Sequence, residues 1–168
     1  MRGFVLGIFA GILIIGAGGY YFVRGGGISL ATSARPLPME EKVADMALRS
    51  SMGNAAQQTN PLPFDDANIL AGVHVYKENC AVCHGAPGQP RTAISKGMSP
   101  SPPQLMEKQG MMTDDPEGET YWKVTHGIRL TGMPGFSSTL SDTQRWQVTM
   151  LVKHADEIPP PAQAAFGR

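Results

Sequence analysis

The sequence predicts an all-α protein, in which an N-terminal membrane-spanning helix and a flexible linker precede one small helical domain. Three observations lead to this prediction. There is a long uncharged apolar stretch near the N-terminus, there are capped segments with apolar residues at helical spacing, and glycine- and proline-rich loops separate those segments. At 168 residues, the chain is long enough for one domain with appendages.

The first element is the uncharged stretch from Phe4 to Val23. About 20 apolar residues are what a helix needs to cross the hydrocarbon core of a bilayer, so residues 1–24 are predicted to form a transmembrane anchor. Aromatic residues at its far end suit the headgroup region. A cleaved signal peptide is the alternative, since Ser29-Leu30-Ala31 resembles a small-residue cleavage site, although the apolar stretch is longer than the usual signal-peptide core.

The linker is predicted over residues 25–64, which begin with three glycines and end with Asn60-Pro61-Leu62-Pro63. Within it, residues 39–52 carry apolar side chains at helical spacing and predict a short helix. The helical domain is predicted over residues 65–158, and residues 159–168 are predicted to be a tail.

Three main helices are predicted in that domain. The first begins at Asp65 or the aspartate after it, because carboxylates suit a helix N-terminus, and it continues to the cysteines. The second runs through Glu119 to Thr125 and stops at Gly127. The third opens with Ser141-Asp142-Thr143-Gln144, which is a capping-box pattern.

The charge pattern argues against nucleic acid as a partner. Basic and acidic residues balance at 14 each, and charged residues make up only 17% of the chain. Proteins that bind nucleic acid carry clustered basic residues on one surface. We therefore expect no nucleic-acid partner.

Both cysteines lie in the pentapeptide Cys80-Ala81-Val82-Cys83-His84. C-x-x-C-H is the attachment signature of a c-type haem. The two intervening residues cover about one helical turn, so both sulfurs can bond to the vinyl groups along one porphyrin edge. His84 then lies next to the iron as the first axial ligand, and its other ring nitrogen is expected to donate to a backbone carbonyl.

Two other uses of a C-x-x-C pair are considered. A thioredoxin-like dithiol belongs beside a βαβ pattern, whereas this chain shows helices and loops. A zinc site needs four ligands, and His74, His126 and His154 show no paired ligand spacing. Covalent haem is therefore the favoured interpretation.

Residues 65–156 resemble a class I cytochrome c domain, of the monohaem kind that is often fused to a membrane anchor. The motifs that carry the resemblance are Cys80-Ala81-Val82-Cys83-His84, the stretch Gly127-Ile128-Arg129-Leu130-Thr131-Gly132-Met133-Pro134-Gly135-Phe136, and Leu140-Ser141-Asp142 followed by Trp146. The resemblance implies the cytochrome c fold, in which three main helices and loops surround one haem c. It also implies that the first and last helices cross, with Gly72 and Tyr76 facing the last helix.

The resemblance further implies that Met133 is the sixth iron ligand. The residues agree, because Met133 lies between Gly132 and Pro134 on a tight loop and not in an apolar periodic run. A thioether is a soft neutral ligand that raises the reduction potential. His126 is the alternative ligand. The other methionines after the cysteines lack such loop flanks: Met98, Met106, Met111 and Met112.

Four further residues are candidate haem contacts. Pro103 and Leu105 lie in a loop that resembles the family's loop beside the haem, where a backbone carbonyl receives the His84 proton and Leu105 packs on the ring. Arg91 and Trp122 are candidates for holding the haem propionates through hydrogen bonds. The alternatives are an ordinary proline loop and plain surface or core packing.

The predicted function is electron transfer and not catalysis, because two axial protein ligands leave the iron no vacant position. Redox protein partners are expected to dock briefly at the exposed haem edge, with Arg129 and Lys96 steering the encounter. Haem c is attached outside the cytoplasm, so the domain is expected in the periplasm, held to the inner membrane by a single pass. The alternatives are a haem subunit of a larger oxidoreductase complex, and a peroxidase or gas-binding cytochrome with a labile Met133.

Overall fold

The structure is a computed structural model that describes residues 1–107 and 114–167. Met111 and Met112 lie outside these residues. The part of the chain that is described contains α-helices and one 3-10 helix but no strand, which confirms the predicted all-α class. The α-helices are α1 (Arg2–Arg24), α2 (Glu40–Met52), α3 (Asp66–Asn79), α4 (Ala81–His84), α5 (Ala93–Gly97), α6 (Glu117–His126), α7 (Asp142–Lys153) and α8 (Pro160–Phe166), and the 3-10 helix covers Gly53–Gln57.

The chain divides into two units, of which the first covers residues 1–41 and contains α1. Among the described residues, α1 alone is long and apolar enough to cross a membrane, and none of its residues is buried. A helix with so much exposed apolar surface suits a lipid environment or a signal sequence.

The second unit begins at Lys42, and its core is built around the crossing of α3 and α7. The two helices approach closely at Gly72, where a Cβ would collide with the backbone carbonyl of Gln147. Only glycine allows this approach, because it has no side chain. The crossing that the resemblance implies, with Gly72 facing the last main helix, is therefore present. Apolar side chains from both helices fill the core: Ile69, Val73, Tyr76, Val148, Met150 and Leu151.

The first and third main helices begin where their sequences predict, and the second begins at Glu117, two residues earlier than predicted, and ends as predicted before Gly127. Asp65 caps α3, since its side chain accepts a hydrogen bond of 2.8 Å from the backbone N–H of Asn68. Ser141 and Gln144 form the predicted capping box at α7, each side chain accepting from the other residue's backbone N–H. α6 ends before Gly127, whose φ of +69° favours glycine.

Part of the predicted linker packs within the second unit. The helix expected at residues 39–52 is present as α2, and Met52 at its end is only 4% exposed. The 3-10 helix that follows lies so close to α6 that a Cβ on Gly118 would be 2.5 Å from the carbonyl oxygen of Ala55. The buried Met52 side chain and the close approach at Gly118 thus attach the end of α2 and the 3-10 helix to the second unit. Of the predicted linker, residues 25–41 lie outside this unit.

The predicted tail contains a helix, α8, that packs on α3. Ala162 and Ala165 are buried, and the Phe166 ring meets the Tyr76 ring edge-on at 6.0 Å between centroids. Lys77 also donates a 2.7 Å hydrogen bond to the Ala165 carbonyl. Such a short helix is stabilised by these tertiary contacts and not by its own propensity, which explains why the sequence pattern did not indicate it.

Candidate functional site

A cavity of about 280 Å³ lies in the second unit, bordered by helices α2, α3, α4, α6 and α7 and by two loops. Its wall is mostly apolar. Six of the predicted site residues line it: Cys80, Cys83, His84, Pro103, Leu105 and Met133. The structure therefore brings the predicted attachment residues and both predicted axial ligands to one place.

One helical turn positions the attachment motif, Cys80–His84. The carbonyl of Cys80 accepts hydrogen bonds from the backbone N–H groups of Cys83, at 3.1 Å, and His84, at 2.9 Å. This turn, α4, directly continues α3 and ends at Gly85, where φ is +76°. Both thiols and the imidazole thus lie on a single helical turn and form part of the cavity wall.

The His84 ring is oriented by a neighbouring carbonyl. Its Nδ1 lies 2.8 Å from the Pro103 oxygen, and because a carbonyl only accepts, Nδ1 donates and Nε2 is left as the ring nitrogen with a lone pair. Burial lowers the pKa of His84, and the hydrogen bond to Pro103 opposes this effect. A neutral imidazole oriented in this way is the form that ligates a metal.

The Cys80 thiol does not have the lowered pKa of a redox-active cysteine. Burial, reinforced by the nearby Cys83, raises the pKa of Cys80 to about 12. Thioredoxin-like dithiols instead include a cysteine with a lowered pKa. No group of three or more His, Cys, Asp or Glu side chains suited to a metal ion occurs in residues 1–107 or 114–167. The dithiol and zinc interpretations therefore gain no support.

Met133 lies on a loop, Gly127–Phe136, that its own hydrogen bonds hold together. The Met133 carbonyl accepts from the Ile128 N–H at 3.2 Å, and the Met133 N–H donates to the Thr131 hydroxyl at 3.1 Å. That hydroxyl in turn donates to the Ile128 carbonyl at 2.7 Å. The loop, called the Met133 loop below, thus presents its thioether from a hydrogen-bonded framework.

Two glycines let the Met133 loop pack directly on the end of α6. A Cβ at Gly127 would be 2.6 Å from the Gly135 nitrogen, and a Cβ at Gly135 would be 2.7 Å from the His126 carbonyl oxygen. The Phe136 N–H also donates to the Val124 carbonyl at 2.9 Å. The glycines of this motif are therefore explained by backbone contact.

Arg91 and Trp122 do not line the cavity. The Arg91 guanidinium donates to the Ser101 hydroxyl and to the Pro102 carbonyl, so it braces the loop that carries Pro103. The Trp122 ring packs beside His126 at 4.8 Å, and neither residue is among those that line the cavity. Their predicted roles at the haem propionates stay predictions.

Several lining residues were not anticipated, among them Leu48, Met98 and Lys123. Leu48 comes from α2, within the segment that the sequence predicts to be a linker. Its spacing of four from the buried Met52 is the signal that indicates a shared inner face. Lys123 brings an amino group to the wall and pairs with Glu119 at 2.6 Å and Asp115 at 3.6 Å. Nothing in the sequence pattern distinguishes this lysine from a solvent-exposed one.

These side chains fit a covalently attached haem. Two thiols on one turn match two vinyl groups, a neutral imidazole and a thioether are a ligand pair for haem iron, and an apolar wall suits a porphyrin face. Apart from these ligands, the lining offers few polar groups, as an apolar porphyrin face requires.

Comparison with known protein families gives an independent result. The family model described as "Cytochrome C oxidase, cbb3-type, subunit III" matches residues 67–150, a range that contains both the attachment motif and Met133. No curated protein matches the chain. The family match covers half of the chain, and it confirms the resemblance to c-type cytochromes. The chain therefore belongs to this family, and its second unit contains a c-type cytochrome domain.

Proposed function

We propose that this protein is a membrane-anchored electron carrier, with one haem c bonded to Cys80 and Cys83 and ligated by His84 and Met133. The observation that carries the proposal is that these four side chains converge on one apolar cavity. When bound, the haem supplies one-electron redox chemistry. The family match independently supports haem-based electron transfer.

Each of the four side chains has a defined task. The cysteines fix the group by carbon–sulfur bonds, and His84, oriented by Pro103, offers Nε2 to the iron. Met133 offers a soft thioether, which favours the ferrous state. With two protein ligands in place, substrates have no position to occupy on the iron, so outer-sphere electron transfer is the activity that this arrangement supports.

The surface beside these ligands suits brief contact with a redox partner. Val82, between the cysteines, is 48% exposed, and Leu130, on the Met133 loop, is 92% exposed. Residues 85–106 and 127–141 include three cationic side chains, Arg91, Lys96 and Arg129, and no carboxylate. A small apolar surface with a positive surround favours fast, weak docking to an acidic partner protein.

The membrane location rests on α1. Covalent haem is attached outside the cytoplasm, so an uncleaved α1 would hold the domain on the periplasmic side of the inner membrane. Tethering raises the local concentration of the domain near membrane partners without any new contact. We expect the donor and acceptor to be proteins in or near the same membrane.

Spectroscopy of the purified full-length chain in detergent tests the haem assignment. The protein should stain for haem after boiling in detergent, show the red-edge ferric absorption band that reports sulfur ligation, and bind carbon monoxide only slowly in the native ferrous state. Absence of the stain would contradict covalent attachment. Ready carbon monoxide binding would favour the peroxidase or gas-binding alternative.

The family's description favours a second function, that of a haem subunit fixed in a larger membrane oxidase. A free carrier and a fixed subunit differ in how they purify. In mild detergent, a free carrier should elute alone, whereas a fixed subunit should elute in constant proportion to other membrane proteins. Stoichiometric copurification would therefore favour the subunit.

Matched truncations test the anchor. Replacing residues 1–34 with a cleavable secretion signal should release a soluble domain with an unchanged reduction potential, because the second unit begins at Lys42. Electron delivery to membrane partners should fall at low concentration and recover when excess domain is added. Replacing residues 1–64 removes Leu48 and Met52 as well, and this domain should unfold at lower denaturant. If the shorter truncation matches the anchored protein at equal low concentration, tethering is not the role of α1.

A further inference from the structure

Met98 lines the cavity together with Met133 but belongs to neither motif. It follows α5 directly and forms that helix's C-cap, where its N–H points toward the Ser95 carbonyl. Its side chain is half-buried. A flexible thioether in such a place fills irregular space between loops.

The helix that carries Met98 is hydrogen-bonded to the attachment motif. The Thr92 hydroxyl donates to the Val82 carbonyl at 2.6 Å, and the same oxygen accepts from the Ser95 N–H at 3.0 Å as the α5 N-cap. One side chain thus fixes the start of α5 and ties it to the residue between the two cysteines. The position of Met98 is therefore set relative to the motif.

The end of the Met98 side chain covers the Met133 loop. A Cβ built on Gly132 would collide with the Cε of Met98 and would lie 3.6 Å from the Sδ of Met98. Met98 atoms are the nearest ones to this face of Gly132 among the described residues. The methyl group therefore rests on the backbone immediately before Met133.

We propose that Met98 is a positioning residue that clamps Gly132 and so keeps the Met133 thioether in the cavity. This inference rests on the proposed function, in which Met133 is an axial ligand. The loop's hydrogen bonds described above are internal or reach the end of α6. Met98 thus connects the Met133 loop to α5, which is hydrogen-bonded to the attachment motif.

Substituting Met98 should loosen the Met133 ligand without detaching the haem. In Met98→Ala, the sulfur-ligation band should disappear at lower temperature, and carbon monoxide should bind the ferrous protein about tenfold faster or more, as expected when a partly buried methionine is truncated. Met98→Leu keeps the volume and should stay within about twofold of the parent. Ile94→Ala, on the same helix but exposed and outside the cavity wall, is the matched control and should change neither value.

Thr92→Val gives a second test that leaves Met98 intact. It removes the hydrogen bond to Val82, so carbon monoxide binding should speed up in the same direction as in Met98→Ala. This variant decides the outcome if Met98→Ala yields too little haem-loaded protein. Carbon monoxide rates and band midpoints that equal those of the parent, in whichever of these variants is obtained with haem, would overturn the clamp.

The outcomes separate this inference from the proposed function. If the unmodified protein lacks the sulfur band and binds carbon monoxide freely, the proposed ligation itself fails. If the parent shows the band and Met98→Ala retains it to the same temperature, only the positioning role fails. If the band survives in Met133→Ala but disappears in Met98→Ala, Met98 is the ligand, and both proposals are wrong.

Discussion

The attachment motif and the Met133 loop line the same cavity, but the structure holds them in different ways. Around the motif, side chains or carbonyls from three separate segments make hydrogen bonds: Tyr76 to the Gly85 carbonyl at 2.7 Å, Thr92 to the Val82 carbonyl, and His84 to the Pro103 carbonyl. The motif is therefore fixed from several directions.

The hydrogen bonds of the Met133 loop are local instead. They are internal or reach the last turn of α6, and Gly127 and Gly135 place the loop's backbone directly against that helix. Under the proposed function, this difference corresponds to two tasks, in which the motif would secure the haem and the Met133 loop would tune its iron. Changes to the motif should therefore cost attachment or stability, whereas changes to Met133 should alter redox and ligand-binding properties with the haem retained.

The largest expected effect comes from removing both thiols. Cys80→Ala with Cys83→Ala should eliminate covalent haem completely, because no other cysteine occurs in the chain. The measurement is haem staining of the denatured protein. Met133→Ala is the control on the other side of the comparison and should stain as strongly as the parent. Covalent haem in the double variant would contradict the assignment of the motif.

A smaller effect is expected when the loop's ligand is exchanged. Met133→His should keep the iron six-coordinate and low-spin but lower the reduction potential by on the order of 0.1 V or more, within the range of about 0.8 V that axial ligands set. The reason is that imidazole stabilises ferric iron relative to a thioether. A redox titration measures the shift, and the covalent haem content should not change. An unaltered potential and spectrum would mean that Met133 does not ligate the iron.

The sequence predicted the residues whose chemistry is local. Ser141 and Gln144 lie three residues apart and predict a capping box. The spacing of Cys80, Cys83 and His84 predicts a single helical turn, so both features could be predicted without a structure. The spacing of Leu48 from Met52 indicates a shared helix face, but neither Leu48 nor Met98 could be placed at the cavity in this way, because their roles depend on which distant segment they meet. Helix α8 was missed for the same reason: its alanines become informative only when packed on α3.

The smallest expected effect tests the hydrogen bond that Tyr76 makes beside the attachment motif. Tyr76 is fully buried, and burial raises its pKa, so the hydroxyl keeps its proton and donates to the Gly85 carbonyl, next to His84. Tyr76→Phe preserves the ring and its edge contact with Phe166 but leaves that buried carbonyl without its donor, which should lower the free energy of unfolding by about 1–3 kcal/mol. Denaturant unfolding of the haem-loaded protein measures the loss. The reduction potential and the sulfur band should stay unchanged, because the Met133 loop is not touched.

Phe166→Leu, which alters packing and no hydrogen bond of the motif, is the control for a general loss of stability. If Tyr76→Phe shifts the potential instead of the stability, the bracing of the motif and the tuning of the iron are not separate, and the division between the two sides of the cavity does not hold.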